Sequence, residues 1–294
     1  MVSNAVTRRR LGARMVDLTV DSAALGRPAR VRLLLPLGHA DRDRHWPVLY
    51  LLHGCCDTYD SWTRSTDVAE LTADSPVIVA MPEAGRAGFY SNWWNGGRYG
   101  PPAWETFHLD ELPAILERDC GAGGRRVVAG LSMGGFGALS YAARRPGKFA
   151  AAASFSGPLH ITYPAPGGFG GAEAVAELLT REGEDLLALW GPWAQRPETW
   201  AAHNPYDLAN RLRGIPLYVS CGDGYPGRFD EPGAPFDVQE AFLCVESHAF
   251  AARAAELGLA LTTDFYGGGT HTWPYWQESL HRSFPLLMRA LHHP

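Results

Sequence analysis

The chain has no basic excess. Over 294 residues, 26 Lys and Arg stand against 31 Asp and Glu, a formal charge of −5. A surface built to neutralise a phosphate backbone needs the opposite balance, so nucleic acid is not an expected partner. No run of 18 apolar residues occurs, so no membrane-spanning helix is expected. Cysteine is sparse and odd in number: Cys55, Cys56, Cys120, Cys221 and Cys244, with no C-x-x-C pair and no zinc spacing. These read as five small buried thiols in a reducing compartment, with the adjacent Cys55 and Cys56 unbonded. No metal and no organic cofactor is expected. Arg8, Arg9 and Arg10 lack the apolar stretch that an export signal needs after them, since Arg14, Asp17 and Asp21 follow. The segment from Leu11 to Leu25 therefore reads as the first strand, and the expected location is cytoplasmic.

What is present is apolar mass and punctuation: 46% hydrophobic residues, with Gly 33, Pro 22 and Trp 10. That composition suits a sizeable core wrapped in loops. No internal repeat and no polar linker divides the chain, so residues 1–294 are expected to form one domain. Short apolar runs alternate with helical patterns, the signature of an α/β sheet. Strands are expected at Arg14 to Val20, Ala29 to Pro36, Val48 to Leu52, Val77 to Met81, Arg126 to Ala129, Ala150 to Phe155, Leu217 to Cys221 and Leu261 to Tyr266. The first two alternate, as antiparallel strands do. The last six read as continuous apolar runs, as parallel strands covered on both faces do. Helices are expected at Trp104 to Cys120, Met133 to Arg145, from about Ala172, and at Phe242 to Leu257, with Gly258 as a stop. Between the sixth and seventh of these strands lies a long excursion, 158–213. It opens with the Gly/Pro-rich run Pro164 to Gly171 and carries Trp190, Trp193 and Trp200. Its tryptophans are expected to shield the site and set substrate choice.

Val127-Val128-Ala129-Gly130-Leu131-Ser132-Met133-Gly134-Gly135 carries the most chemistry. It reads as an apolar strand, then G-x-S-x-G, then a helix of small residues. A serine on so tight a turn needs neighbours without side chains, and the turn lifts its hydroxyl clear of the sheet. Ser132 is therefore the candidate nucleophile. The backbone N–H of Met133, at the helix start, is a candidate donor to a developing oxyanion. A hydroxyl needs a base. His271, in Gly269-Thr270-His271-Thr272-Trp273 directly after the last strand, is the candidate, whereas His248, His281, His292 and His293 fall on helices or the tail. For the acid, position alone leaves Asp223, Asp230, Glu231, Asp237 and Glu240 open. The second oxyanion donor is expected from Leu52-His53-Gly54-Cys55, where the N–H of Cys55 follows a glycine.

Taken in order, Leu51-Leu52-His53-Gly54, Phe89-Tyr90-Ser91-Asn92-Trp93, Trp104-Glu105-Thr106-Phe107, Gly130-Leu131-Ser132-Met133, Trp190-Gly191-Pro192, Cys221-Gly222-Asp223-Gly224 and Gly269-Thr270-His271-Thr272-Trp273 resemble a known family. It is the antigen 85-like branch of the esterase D-type α/β-hydrolases, which includes mycolyltransferases and esterases. The resemblance covers roughly residues 46 to 285. It implies the α/β-hydrolase fold: a mostly parallel central sheet flanked by helices, with the excursion between its sixth and seventh strands. It also implies a Ser–Glu–His triad, with Glu240 as the acid and Glu246 as a nearby competitor. The expected activity is that of a serine esterase on a small-molecule carboxylic ester or thioester, through an acyl-enzyme. The alternative is an acyltransferase passing the acyl group to an alcohol or amine, and a non-catalytic binding protein on the same fold is the remaining rival. His53, Tyr90, Trp93, Trp94 and Trp273 are candidate substrate-binding residues. The chain departs from the mycolyltransferases at His53, where they carry an acid, and at Cys56, where they carry an arginine.

Overall fold

The structure is a computed structural model and describes residues 5–39, 45–164 and 168–292. Residues 165–167 of the Gly/Pro-rich run, and His293, lie outside it. Nine strands form one sheet: β1 (Val6–Arg10), β2 (Met15–Ser22), β3 (Arg27–Leu34), β4 (Trp46–Leu52), β5 (Ile78–Pro82), β6 (Ala122–Leu131), β7 (Ala152–Phe155), β8 (Leu217–Cys221) and β9 (Leu261–Phe265). Their order is β1-β2-β3-β5-β4-β6-β7-β8-β9. The pairings β1–β2, β2–β3 and β3–β5 are antiparallel, and every later pairing is parallel.

Side-chain alternation splits the core in two. Along β4, Val48, Tyr50 and Leu52 point into one buried cluster, and Leu49 and Leu51 into the other. Both faces being covered is what makes this strand read as an unbroken apolar run. Five helices bear on the argument: α1 (Leu112–Cys120), α2 (Met133–Arg144), α3 (Gly171–Arg181), α4 (Val238–Glu256) and α5 (Trp273–His292). All of α2 up to Ala143 is buried. Its small residues permit this: a Cβ on Gly137 would stand 2.5 Å from Cγ of Tyr90. Gly258, with φ +63°, follows α4 as its expected stop.

Three expectations need correction. The arginine-rich N-terminus is itself a strand, β1, registered against β2 from Val6 opposite Val20 to Arg10 opposite Val16. Its side chains are mostly exposed, so it has no apolar pattern to announce it; pairing to β2 and the ion pair from Arg9 to Asp17 (3.1 Å) hold it. With this added strand, the excursion lies between the seventh and eighth strands. The last strand, β9, is not an apolar run. It is the sheet edge, half exposed, and its Asp264 accepts from Tyr218 (2.6 Å) and Arg282 (2.9 Å). An edge strand buries less than a central one, so polar residues cost it little.

The chain runs from β4 to β5 on one side and returns to β6 on the other. In open α/β sheets, ligands bind beyond the carboxyl ends of the strands where the order reverses in this way. Cys55 follows β4 and Ser132 follows β6, so both loops meet at this point.

Candidate active site

Ser132 sits between β6 and α2 with φ +51° and ψ −125°, a conformation side chains rarely adopt. Close packing fixes it. A Cβ on Gly54 would fall 2.6 Å from Leu131 and 3.3 Å from Cβ of Ser132, so the β4 loop reaches the turn only through a glycine. The Ser132 N–H donates to the Phe155 carbonyl at 2.8 Å, tying the turn to β7.

Two short links run outward from the hydroxyl. Ser132 Oγ lies 3.0 Å from His271 Nε2, and His271 Nδ1 lies 2.6 Å from Glu240 Oε2. With Nδ1–H donated to the carboxylate, the Nε2 lone pair faces the serine. Glu240 has no solvent exposure. Its Oε1 accepts from the Ser156 hydroxyl (2.7 Å) and from the Gly222 N–H (2.8 Å), so a buried carboxylate is fully hydrogen-bonded. The helix start does the positioning. Asp237 caps α4 by accepting the Glu240 N–H at 3.0 Å, and its other oxygen accepts the His271 N–H at 2.8 Å. One aspartate thus sets both partners. Trp276 lies edge-on to His271, 4.8 Å between ring centres, and its N–H donates to Ser156 at 3.2 Å.

The other carboxylates serve elsewhere. Asp223 accepts the Tyr225 N–H (3.0 Å) in a turn, Asp230 accepts from Tyr275 (2.6 Å) and Gly227 (2.7 Å), and Glu246 accepts from the His160 N–H (3.4 Å). Glu231 is exposed. Ser156 and Gly222 are the residues that the sequence did not reveal. Ser156 follows β7 with no motif of its own, and Gly222, although it lies in the Cys221-to-Gly224 run, carries no sign in the sequence that its N–H holds the acid.

Cys55 and Met133 flank the serine and line the same cavity as it. Among the described residues, the Cys55 N–H donates to no protein acceptor. Met133 is the first residue of α2, where an N–H has no partner within the helix. The expected unbonded thiols are corrected here: Cys55 and Cys56 are joined in a disulfide. The adjacent residues turn sharply, with Cys56 at φ +67°, and this brings the two sulfurs together. Nor are the cysteines uniformly buried. Cys221 is, but Cys120 and Cys244 are only half-buried. Among the described residues, Cys55, Cys56 and Glu182 bring ligand-type atoms within 4.8 Å of one another. With both sulfurs in one disulfide neither is a thiolate, so the group does not suit a metal ion.

A cavity of about 340 Å³ opens at Ser132. One face of α3 (Ala174, Val175, Leu178) and one face of α4 (Gln239, Phe242, Leu243, Glu246) form its walls, each at the three- and four-residue spacing of a helix face. Phe89 and Met133 close the serine end, and Phe169 packs on Phe242 with ring centres 6.1 Å apart.

None of the five expected substrate-binding residues lines this cavity. His53 is 1% exposed; its Nδ1 donates to the Gly54 carbonyl (2.7 Å) and its Nε2 accepts the Ala84 N–H (3.0 Å). Burial holds its pKa below the ordinary histidine range. Tyr90 is a core residue whose hydroxyl donates to the His53 carbonyl at 2.8 Å. Trp93 lines a different cavity, of about 460 Å³, beside Arg27, Glu83 and Trp104. Trp94 packs under the Arg196 guanidinium, 4.8 Å from its ring centre. Trp273 packs edge-on to Trp62 (5.4 Å) and Trp276 (5.3 Å). The excursion's tryptophans also pack on one another: Trp190 is fully buried, 5.0 Å from Trp200, and Trp193 lies 5.7 Å from Trp200. Tyr90 fills the space that the slim α2 leaves beside Gly137.

Residues 22–287 match the model of the family described as "Putative esterase". The chain belongs to this family. It is 32% identical over 285 residues to the diacylglycerol acyltransferase/mycolyltransferase Ag85A of Mycobacterium ulcerans, covering 93% of this chain and 81% of that one. It is 41% identical over 258 residues to the esterase Rv1288 of Mycobacterium tuberculosis, covering 84% of this chain and 54% of that protein. Among solved structures, Mycobacterium tuberculosis MPT51 (FbpC1) superposes with a TM-score of 0.77 at 25% identity, covering 98% of this chain and 100% of that one. The chain thus has the α/β-hydrolase fold and is an enzyme of the hydrolase and acyltransferase class. No helix among the described residues is long and apolar enough to cross a membrane.

Proposed function

We propose that the chain is a serine esterase that cleaves a carboxylic ester or thioester through an acyl-enzyme. The observation that carries the reading is the unbroken line from Ser132 Oγ through His271 to the buried Glu240, at 3.0 and 2.6 Å. In this mechanism Ser132 Oγ attacks the ester carbonyl while its proton passes to His271 Nε2. Glu240 holds the ring orientation and stabilises the imidazolium through Nδ1–H. The N–H groups of Cys55 and Met133 stabilise the oxyanion. The imidazolium returns its proton to the leaving alcohol or thiol, and water activated by the same histidine releases the acid. Residues 1–294 act as one domain, with 158–213 as a cap that supplies α3 to the acyl cavity. The substrate is a small-molecule acyl ester, and nucleic acid has no part.

A second reading, transfer of the acyl group to an alcohol or amine, is favoured by the similarity to an acyltransferase/mycolyltransferase. Both readings share the acyl-enzyme. A panel of activated esters of varied chain length tests them: turnover with stoichiometric labelling of Ser132 by a fluorophosphonate is expected, and no turnover overturns both. Added alcohols or amines separate the two, because transfer yields a new ester or amide in place of free acid.

A further inference from the structure

Glu246 is the one polar side chain lining the Ser132 cavity that is 1% exposed; Glu177, Arg181 and Gln239 line it from its solvent side. It lies one and a half turns along α4 from Glu240, on the face with Phe242 and Leu243. Among the described residues, it takes hydrogen bonds from the backbone N–H groups of Leu159 and His160 and pairs with no cation. Both of these bonds use it as an acceptor. Burial pushes its pKa well above the ordinary carboxylate range, which favours the protonated form. In that form the acid has one O–H to donate, and neither of these two bonds uses it. A purely apolar acyl chain would leave that donor unpaired, and an unpaired buried polar group is costly. Leucine or methionine would fill the position at no such cost.

We propose that Glu246 is a specificity-determining residue. On this assignment the cavity takes an acyl group bearing an oxygen acceptor, such as a hydroxyl, carbonyl or ether, several carbons from the ester carbon, and Glu246 donates to that oxygen. The inference rests on the esterase reading above. The volume, about 340 Å³, accommodates roughly ten water-sized groups, and so an acyl group of about that many heavy atoms. Phe89, Val175, Leu178, Phe242 and Leu243 contact its hydrocarbon part.

The test uses isosteric pairs of p-nitrophenyl esters: hexanoate, octanoate and decanoate, each against the same chain with its terminal methyl replaced by hydroxyl. A methyl- against a hydroxyl-substituted cinnamate supplies an aryl pair. In the wild type at least one hydroxyl ester is expected to match or exceed its methyl partner in kcat/KM. In Glu246→Leu the hydroxyl-to-methyl ratio for that pair is expected to fall by about tenfold or more. Glu246→Gln, which keeps the shape and a donor, is expected to retain most of the ratio. If the wild type prefers the methyl ester in every pair, the assignment fails. The wild-type ratio decides this even if a variant does not fold. Wild-type cleavage of p-nitrophenyl acetate, which does not reach Glu246, separates the two levels: turnover without hydroxyl preference overturns this inference alone, and no turnover of any ester overturns the esterase reading with it.

Discussion

The two ends of the cavity are built in different ways. At the serine end each polar atom of the Ser132–His271–Glu240 line has a partner within hydrogen-bonding distance, and the backbone is held in a conformation that glycine neighbours permit. At the far end the walls are two largely apolar helix faces, and the buried carboxyl there, Glu246, accepts from backbone N–H groups. Hydrogen bonds are directional and fail abruptly when one partner goes. Dispersion contacts are individually weak and tolerate exchange of shape. Changes at the first end should therefore abolish chemistry, and changes at the second should redirect it.

The largest expected effect breaks the serine end outright. Ser132→Ala should lower kcat on any cleaved ester by on the order of 10⁴-fold or more, while circular dichroism and melting show an intact fold. Retention of most activity would assign the chemistry to another group. Next comes the acid: Glu240→Gln should lower kcat by about 10³- to 10⁴-fold, because the imidazole loses its tautomer and its counter-charge. Asp223→Asn, altering a turn residue, should stay within about threefold; a larger loss at Asp223 than at Glu240 would reverse the assignment. At the far end Leu178→Trp fills space between the two helix faces. The octanoate-to-acetate ratio of kcat/KM should fall by about tenfold, and an unchanged ratio would place the acyl chain elsewhere.

The smallest effect falls outside both ends and bears on stability. Burial lowers the pKa of His108 and of His203 from 6.5 to about 3. Burial keeps both neutral, against the pull of the carbonyls of Glu83 on His108 (2.9 Å) and of Thr199 on His203 (2.7 Å); His108 also bonds to Tyr141 (2.8 Å). The folded state resists a proton that the unfolded chain takes up below the ordinary histidine pKa. Their contribution is therefore complete above about pH 6.5 and is lost as pH falls toward about 3, at up to about 1.4 kcal/mol per pH unit for each. Denaturant unfolding between those limits measures the slope, and His108→Gln should reduce it. An unchanged slope in that variant would show that His108 is not the group titrating.

Much of this was legible in the chain itself. The elbow could be read because G-x-S-x-G between an apolar strand and a small-residue helix is a local requirement: Gly130 and Gly134 have no room for a side chain against Leu52 and each other. Seven of the eight expected strands are covered on both faces or alternate clearly, and they occur where periodicity placed them, within a few residues. Strand β1 escaped because its partner, not its own pattern, makes it a strand. The placement of the aromatic residues escaped for a related reason. Tyr90 and Trp93 stand near the site in sequence, but whether a ring lines a cavity or fills the core depends on which helix packs over it.

By itself the sequence determined the period of the elements, the serine turn and the place of a histidine after the last strand, since these depend on residues a few positions apart. Which carboxylate meets His271 was a matter of tertiary structure: the cap at Asp237 and the bonds from Ser156 and Gly222 turn Glu240, rather than Asp223, toward it. It also decided the acyl cavity, whose walls come from helices more than fifty residues apart, α3 (Gly171–Arg181) and α4 (Val238–Glu256). A cavity is the space that packed elements leave between them, so no local pattern encodes it, whereas a turn is fixed by the few residues that make it.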